Sequence, residues 1–402
     1  MKRFLTNLTI LTVVLSMLTA CSAKERPVPF SESKESSSVV SSTAVKTESS
    51  QAPLPCLDVD IGGNEVSITQ GDELSTYEVY AVESLPIFSV PDAQVKISLG
   101  EELVFSGNTQ TLSDFYPQQN GVYTYEVVLP QEQPYAFQVD LKIPVQITVP
   151  TTARQGETLV IRADFADGMA LSAETGLQFT PQFFADGSTQ TALLPIRYTT
   201  SPGVYPLTIQ AGETAFHYDI QVEQREFETQ QLTMDPGTAS ETALSAKANA
   251  EWTQKIEPLK KISDPQRYWE NPFLQPVQGE ITTEFGCIRY TNDNPNPSRH
   301  SGIDIAADEG TPVLATNNGR VLFADYLQLT GNTVLIEHGF GLKSFHYHMH
   351  SLDVQAGDMV EKGQQIGTVG TTGYSTGPHL HFAFAVNQVF VNPWTAFENG
   401  IS

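Results

Sequence analysis

In the run Gly377-Pro378-His379-Leu380-His381-Phe382, two imidazoles alternate with two apolar side chains. Successive side chains of an extended strand point to opposite faces, so His379 and His381 share one face while Leu380 and Phe382 share the other. Such a strand covers a core with one side and presents a pair of metal-ligand side chains on the other. Upstream, His300-Ser301-Gly302-Ile303-Asp304 sets an imidazole and a carboxylate four residues apart, and His346-Tyr347-His348-Met349-His350 lies between the two motifs. Seven of the eight histidines fall between His300 and His381. Zinc in a hydrolytic site takes three protein ligands from His and Asp/Glu and leaves a fourth position open. His300, Asp304 and one histidine of the later pair meet that count. Histidines left over can act as general acid or base near neutral pH. His217 stands alone on a β face and reads as structural.

The surrounding chain reads as mainly β. Beyond Asn271, Gly-containing turns separate the alternating runs Arg320–Ala324, Thr333–Glu337 and Lys343–His348, which points to an antiparallel β domain over 271–402. Residues 58–225 carry short β runs: Glu65–Thr69, Gln94–Ser98, Tyr123–Val128, Thr158–Ala163 and Phe216–Val222. They also carry an internal echo. Gln70-Gly71-Asp72-Glu73-Leu74, Gly121-Val122-Tyr123 and Ala136–Leu141 return as Gln155–Leu159, Gly203-Val204-Tyr205 and Ala215–Ile220, at offsets of 85, 82 and 79 residues. Two tandem β-sandwich-like modules, 55–145 and 146–225, are therefore expected. They resemble bacterial immunoglobulin-like modules and serve as a spacer or cover for the C-terminal domain, or as a wall-polymer binder. Between the blocks, 226–270 reads as a helical connector: Leu244, Ala248, Trp252, Ile256 and Leu259 fall at helical spacing, Ser240 can cap the helix, and Pro258 should kink or end it.

The N-terminus reads as a processed segment. Lys2 and Arg3 precede an apolar stretch, too short for a stable membrane span, that ends in Leu18-Thr19-Ala20-Cys21. That ending resembles the lipobox of bacterial lipoproteins. It implies a signal peptide over 1–20, lipidation of Cys21, and an exported protein anchored to the outer face of the cell membrane through its N-terminal lipid. From residue 21 to 54 the chain is poor in large apolar residues, with nine serines between Ser31 and Ser50, and reads as a disordered tether reaching roughly 30 Å root-mean-square. The formal charge of −24 argues against nucleic acid as a partner. Cys56 and Cys287 sit in no metal-ligand spacing and read as free or as one structural bridge.

Residues from about Pro272 to Trp394 resemble the lysostaphin-type (LytM-like) zinc metallo-endopeptidases of bacterial cell walls. The resemblance is carried by Gly279–Gly286, His300–Ala306, Gly310-Thr311-Pro312-Val313, Gly357–Gly367 and Thr372–Phe382. It implies one Zn²⁺ held by His300, Asp304 and His381, with His379 and His348 as the catalytic histidines; His348 is chosen because it lies six residues before Val354 of the Val-x-x-Gly-Asp turn. It further implies that a zinc-activated water attacks a peptide carbonyl, the substrate being a peptidoglycan stem or cross-link. His346 and His350 share the face of His348 if their strand stays regular, as substrate-facing or solvated side chains. His338 matches a structural turn position, and Tyr290 is the candidate oxyanion partner. The segment Asn292–Pro297 departs from the family pattern, and one of its Asn or Asp side chains could block the open zinc position in a latent form. Restraint of such a hydrolase, by the front half or by a regulatory protein partner, is expected. Two alternatives remain. A non-enzymatic cell-wall-binding or amidase-regulating protein on the same fold would have lost ligands, and none is missing. A lipoyl- or biotinyl-carrier-like module would need an exposed hairpin lysine, which is absent there.

Overall fold

The computed structural model describes residues 56–71, 74–90, 92–233, 245–291 and 295–401. Cys21, the leader, the tether, Ser240 and Asn292–Asn294 lie outside the described residues.

The described chain is mainly β, and each expected β run falls inside a strand. Residues 56–143 form a five-stranded and a three-stranded sheet that close over Val59, Ile97, Tyr125, Phe137 and Val139. Residues 146–223 form two four-stranded sheets around Ile161, Leu194, Leu207 and Ile209. The sequence echo corresponds to a shared topology. Gly121–Val128 and Gly203–Ala211 each pair antiparallel with the next strand, Tyr135–Leu141 or Thr214–Glu223. Those strands in turn pair in parallel with Thr76–Val79 and Thr152–Arg154. The echoed tyrosines make the same bond: Tyr123 and Tyr205 each donate their hydroxyl to the carbonyl four residues upstream, Gln119 and Ser201, at 2.7 Å. This back-bond is the tyrosine-corner device of Greek-key sandwiches, and it locks the turn that enters the strand.

The strand Thr189–Pro195 is apolar without alternation at Ala192-Leu193-Leu194, a pattern that requires burial on both faces. Leu194 fills its own sandwich, while Val160, Phe184 and Leu193 of the same sheet face outward into the C-terminal core. Phe184 stacks on Phe340 at 4.9 Å, and Tyr198 meets Phe285 edge-on at 5.6 Å. The Asn392 amide donates to the Gly156 carbonyl at 2.7 Å. The second module is thus packed directly onto the C-terminal domain.

That domain is built on an eight-stranded antiparallel sheet. Along it run Glu280–Thr283, Ile303–Ala306, His379–Val386, Leu342–Met349, Gly331–Gly339, Gly319–Leu327 and Met359–Val360, with Val389–Val391 paired beside His379–Val386. One face packs on Ile303, Ile305, Phe382, Phe384, Val334 and Ile336. The other is covered by the helix Ala246–Lys255 and by Ile256, which meets Leu335, Phe345, Tyr347 and Ala383. Ser245 caps this helix by accepting from the Ala248 amide at 3.1 Å. The helix stops before Pro258, which opens the short helix Glu257–Lys260 in the only turn where proline costs no hydrogen bond. Residues 262–270 then run along the sheet. Lys343 reaches the Ile262 carbonyl, Arg320 pairs with Asp264 at 2.7 Å, and the Tyr268 amide donates to the His338 carbonyl at 2.8 Å. Cys56 is exposed, Cys287 is buried, and both are free thiols.

Candidate metal centre

Cross-strand register assembles the centre. Asp304, His381 and Tyr347 are directly opposed on three neighbouring strands, so they share one face. The adjacent row, Ile303, Phe382 and His346, faces the core. Gly302 is required for the strands to come this close, because a Cβ there would overlap the Phe382 carbonyl. His300 enters from the preceding turn. Its Nε2 lies 2.9 Å from Asp304 Oδ1 and 2.9 Å from His381 Nδ1, and His381 Nδ1 is 2.9 Å from the same carboxylate oxygen.

The donor set calls for a cation. His300 Nδ1 lies 3.1 Å from the Glu284 carbonyl, an oxygen that only accepts, so the ring proton sits on Nδ1 and Nε2 presents a lone pair inward. Burial pushes His381 down to about 4, so at neutral pH it brings no extra proton into the gap. Asp304 Oδ2 accepts from the Arg289 guanidinium at 2.8 Å, which favours the ionised carboxylate and leaves Oδ1 facing the two imidazoles. Three buried lone-pair donors therefore face one another at contact distance. A divalent metal satisfies all three, and two imidazoles with one carboxylate suit zinc.

Two more histidines border this point. His379 Nδ1 is 2.8 Å from the Gly377 carbonyl and His348 Nδ1 is 2.8 Å from the Thr372 carbonyl, so each ring carries a proton on Nδ1 and points Nε2 away from those bonds. Their centroids are 4.8 Å apart, and His379 Nε2 lies 3.9 Å from Asp304 Oδ1. Burial, reinforced by His379 and His381, pushes His348 down to about 3, which keeps it a neutral base at pH 7.

His348 reaches this position through an irregular strand. Asn332 opposes Met349 but Val334 opposes His346, so Thr333 alone faces both Tyr347 and His348. This is a β-bulge, and His348 takes the left-handed conformation with φ +61°. The bulge turns His348 onto the face of Tyr347 and His381. The expectation that His346 is substrate-facing or solvated is therefore corrected: His346 is fully buried against Phe382, 5.2 Å between centroids. His350 is exposed, with its Nδ1 2.9 Å from Glu309 Oε1. His338 is buried between the Asn318 carbonyl and the Ser344 hydroxyl, at 2.7 and 2.8 Å, as a structural residue. His217 meets Thr208 across its sheet at 3.1 Å.

A cavity of about 790 Å³ opens over the centre. Tyr290 does not line it, whereas its strand neighbour Arg289 does, along with Tyr347 and Tyr374; alternation turns Tyr290 the other way. Tyr347 stacks flat on the His381 ring at 4.9 Å and 2°, and Trp252 of the helix abuts Tyr347 edge-on at 5.8 Å. Arg289 donates to Asp304 Oδ2 at 2.8 Å. Neither Tyr347 nor Arg289 was marked by spacing, although Tyr347 sits between His346 and His348 and shares the alternation that singled out His379 and His381.

Residues 298–393 match the pattern of Peptidase family M23. The chain is 39% identical over 118 residues to the peptidoglycan DD-endopeptidase ShyC of Vibrio cholerae, covering 27% of each chain. It is 44% identical over 94 residues to the DD-carboxypeptidase/endopeptidase Mpg of Neisseria meningitidis, covering 23% of this chain and 22% of that one. The catalytic domain of lysostaphin from Staphylococcus simulans is similar at 30% identity over 30% of this chain and 93% of that domain, with a TM-score of 0.28. The chain thus spans only about a quarter of the length of these two curated relatives. The segment 298–393 that matches this family contains His300, Asp304, His348, His379 and His381.

Proposed function

We propose that the chain is a zinc endopeptidase of peptidoglycan, hydrolysing peptide bonds of stems or cross-links, and that it works from the outer face of the membrane through a lipid on Cys21. The observation that carries the reading is the convergence of His300 Nε2, Asp304 Oδ1 and His381 Nδ1 beside two bases, on the floor of an open cavity. The names of the similar proteins favour peptidoglycan as substrate, and the sequence Leu18–Cys21 favours the anchor.

Zinc bound by His300, Asp304 and His381 would supply Lewis acidity toward a peptide carbonyl and toward water. The remaining work falls to the chain. His348 and His379 present their Nε2 atoms toward the same space, where one can accept the proton of the attacking water and return it to the leaving amine. Their Nδ1–H bonds to the Thr372 and Gly377 carbonyls fix both the tautomer and the ring plane, so no reorientation is needed during proton transfer.

The test is metal removal. The full-length chain should carry one zinc and release new amine ends from purified peptidoglycan. Dialysis against a strong chelator should lower the rate at least 100-fold, and one equivalent of zinc should restore it, since the ligands lie on the sheet itself. A folded chain that neither holds zinc nor releases amine ends from peptidoglycan would overturn the enzymatic reading and favour a wall-binding role.

A further inference from the structure

We propose that Arg289 is a positioning residue for the metal-binding carboxylate, and that the strand Thr229–Leu232, contributed by the connector, helps to hold it in place. The proposal rests on the reading of His300, Asp304 and His381 as metal ligands. Both parts precede the segment 298–393 that matches the peptidase family.

The two oxygens of Asp304 are divided between different partners. Oδ1 faces His300 and His381, whereas Oδ2 accepts from Arg289 Nη2 at 2.8 Å. A carboxylate on a single methylene can rotate, and rotation would exchange the oxygen offered to a cation. A charged hydrogen bond to one oxygen removes that freedom. Arg289 is itself held at more than one point. Its Nη2 also donates to Thr283 Oγ1 at 2.7 Å, and its Nε donates to Gln230 Oε1 at 3.3 Å. Gln230 is placed by parallel pairing of Thr229–Leu232 with Ile288–Thr291, in which Gln230 lies opposite Arg289. Gln230, Gln231 and Thr233 also line the cavity over the centre. The chain between the second sandwich and the covering helix thus supplies a lip of the site and a support for one of its ligands.

The sign of the effect separates orientation from charge. A guanidinium beside the ligand repels a cation, so removing Arg289 for charge reasons alone would strengthen metal binding. Outer partners of metal ligands typically contribute 10–100-fold in affinity or activity through orientation. Arg289→Lys keeps the charge and loses the planar fork; Arg289→Met loses both.

The experiment uses the full-length chain with cobalt(II) replacing zinc, read by its visible absorption, together with kcat and KM on peptidoglycan peptides. Both Arg289 variants should take up one cobalt, show a shifted visible spectrum, and lose about 10–100-fold in kcat with little change in KM. Gln230→Ala should change both readouts in the same direction and by less, because its bond is longer and is supported by Thr283. Thermal melting confirms that the variants fold. Cobalt uptake with a wild-type spectrum and wild-type kcat in Arg289→Met overturns the proposal alone. Full activity in Arg289→Lys also overturns it, since charge would then suffice. A folded wild-type chain that takes up no cobalt or zinc overturns the metal reading, and this proposal with it.

Discussion

Replacing His381 with alanine is expected to abolish zinc retention and peptide release together, whereas replacing His348 with alanine should keep the zinc and lose only turnover. His381 supplies one of three inward lone pairs and lies in register between Asp304 and Tyr347, so its loss leaves two donors and a hole beneath the Tyr347 ring. Two ligands are too few for a stable zinc site. His348 touches none of the three donors through a hydrogen bond, and its place is set by the Thr372 carbonyl and the bulge. Its removal should cost about 10²–10⁴-fold in kcat, the usual worth of a general base. His350→Ala is the control: that ring is exposed and lies beside Glu309, so kcat should stay within about twofold, because exposed pairs contribute little. Metal analysis and steady-state kinetics on the three variants check the set. Loss of zinc in His348→Ala, or full activity in His381→Ala, would contradict the assignment of roles.

The second large effect concerns stability. Lys343→Met should destabilise the chain by about 3–5 kcal/mol, measured by chemical denaturation, because it strands a buried carboxylate. Glu337 and Lys343 are opposed across two strands, both side chains are fully buried, and Lys343 Nζ lies 2.6 Å from Glu337 Oε2. Each ion also holds the connector. Lys343 donates to the Ile262 and Gly341 carbonyls, and Glu337 Oε1 accepts from the Asp264 and Gly341 amides at 3.2 Å. Burial pushes Glu337 up and Lys343 down, each opposed by the charge of its partner. The double change Lys343→Met with Glu337→Gln should recover much of the loss, since it leaves no unpaired charge. A single variant as stable as wild type would show that the pair carries no such strain. The pair also explains why residues 262–270 belong physically with the C-terminal sheet: without their backbone, two buried ions lose half of their hydrogen bonds.

What the chain reveals before folding is uneven, and the physical reasons differ by feature. Alternation in His379–Phe382 settles which side chains share a face, because a strand has a period of two whatever surrounds it. It groups His379 with His381 and sets Leu380 and Phe382 on the opposite face, where both join the core. The Gly203-Val204-Tyr205 echo of Gly121-Val122-Tyr123 is legible for a similar reason: a local back-bond needs only neighbouring residues. The connector helix is legible in its stripe, because Trp252 and Ile256 fall at helical spacing and both pack on the sheet beneath. Tertiary structure decides the rest. In a regular strand His346 and His348 are equivalent, and only the bulge opposite Thr333 separates a core side chain from one that lines the cavity. Arg289, Tyr347 and Gln230 join the centre through pairings between segments distant in sequence, which no local period encodes. The sequence by itself narrowed the candidate donors to His300, Asp304 and one histidine of the pair His379 and His381, because strand alternation groups that pair on one face. The fold alone decided their orientation and support, because these depend on which strands lie side by side.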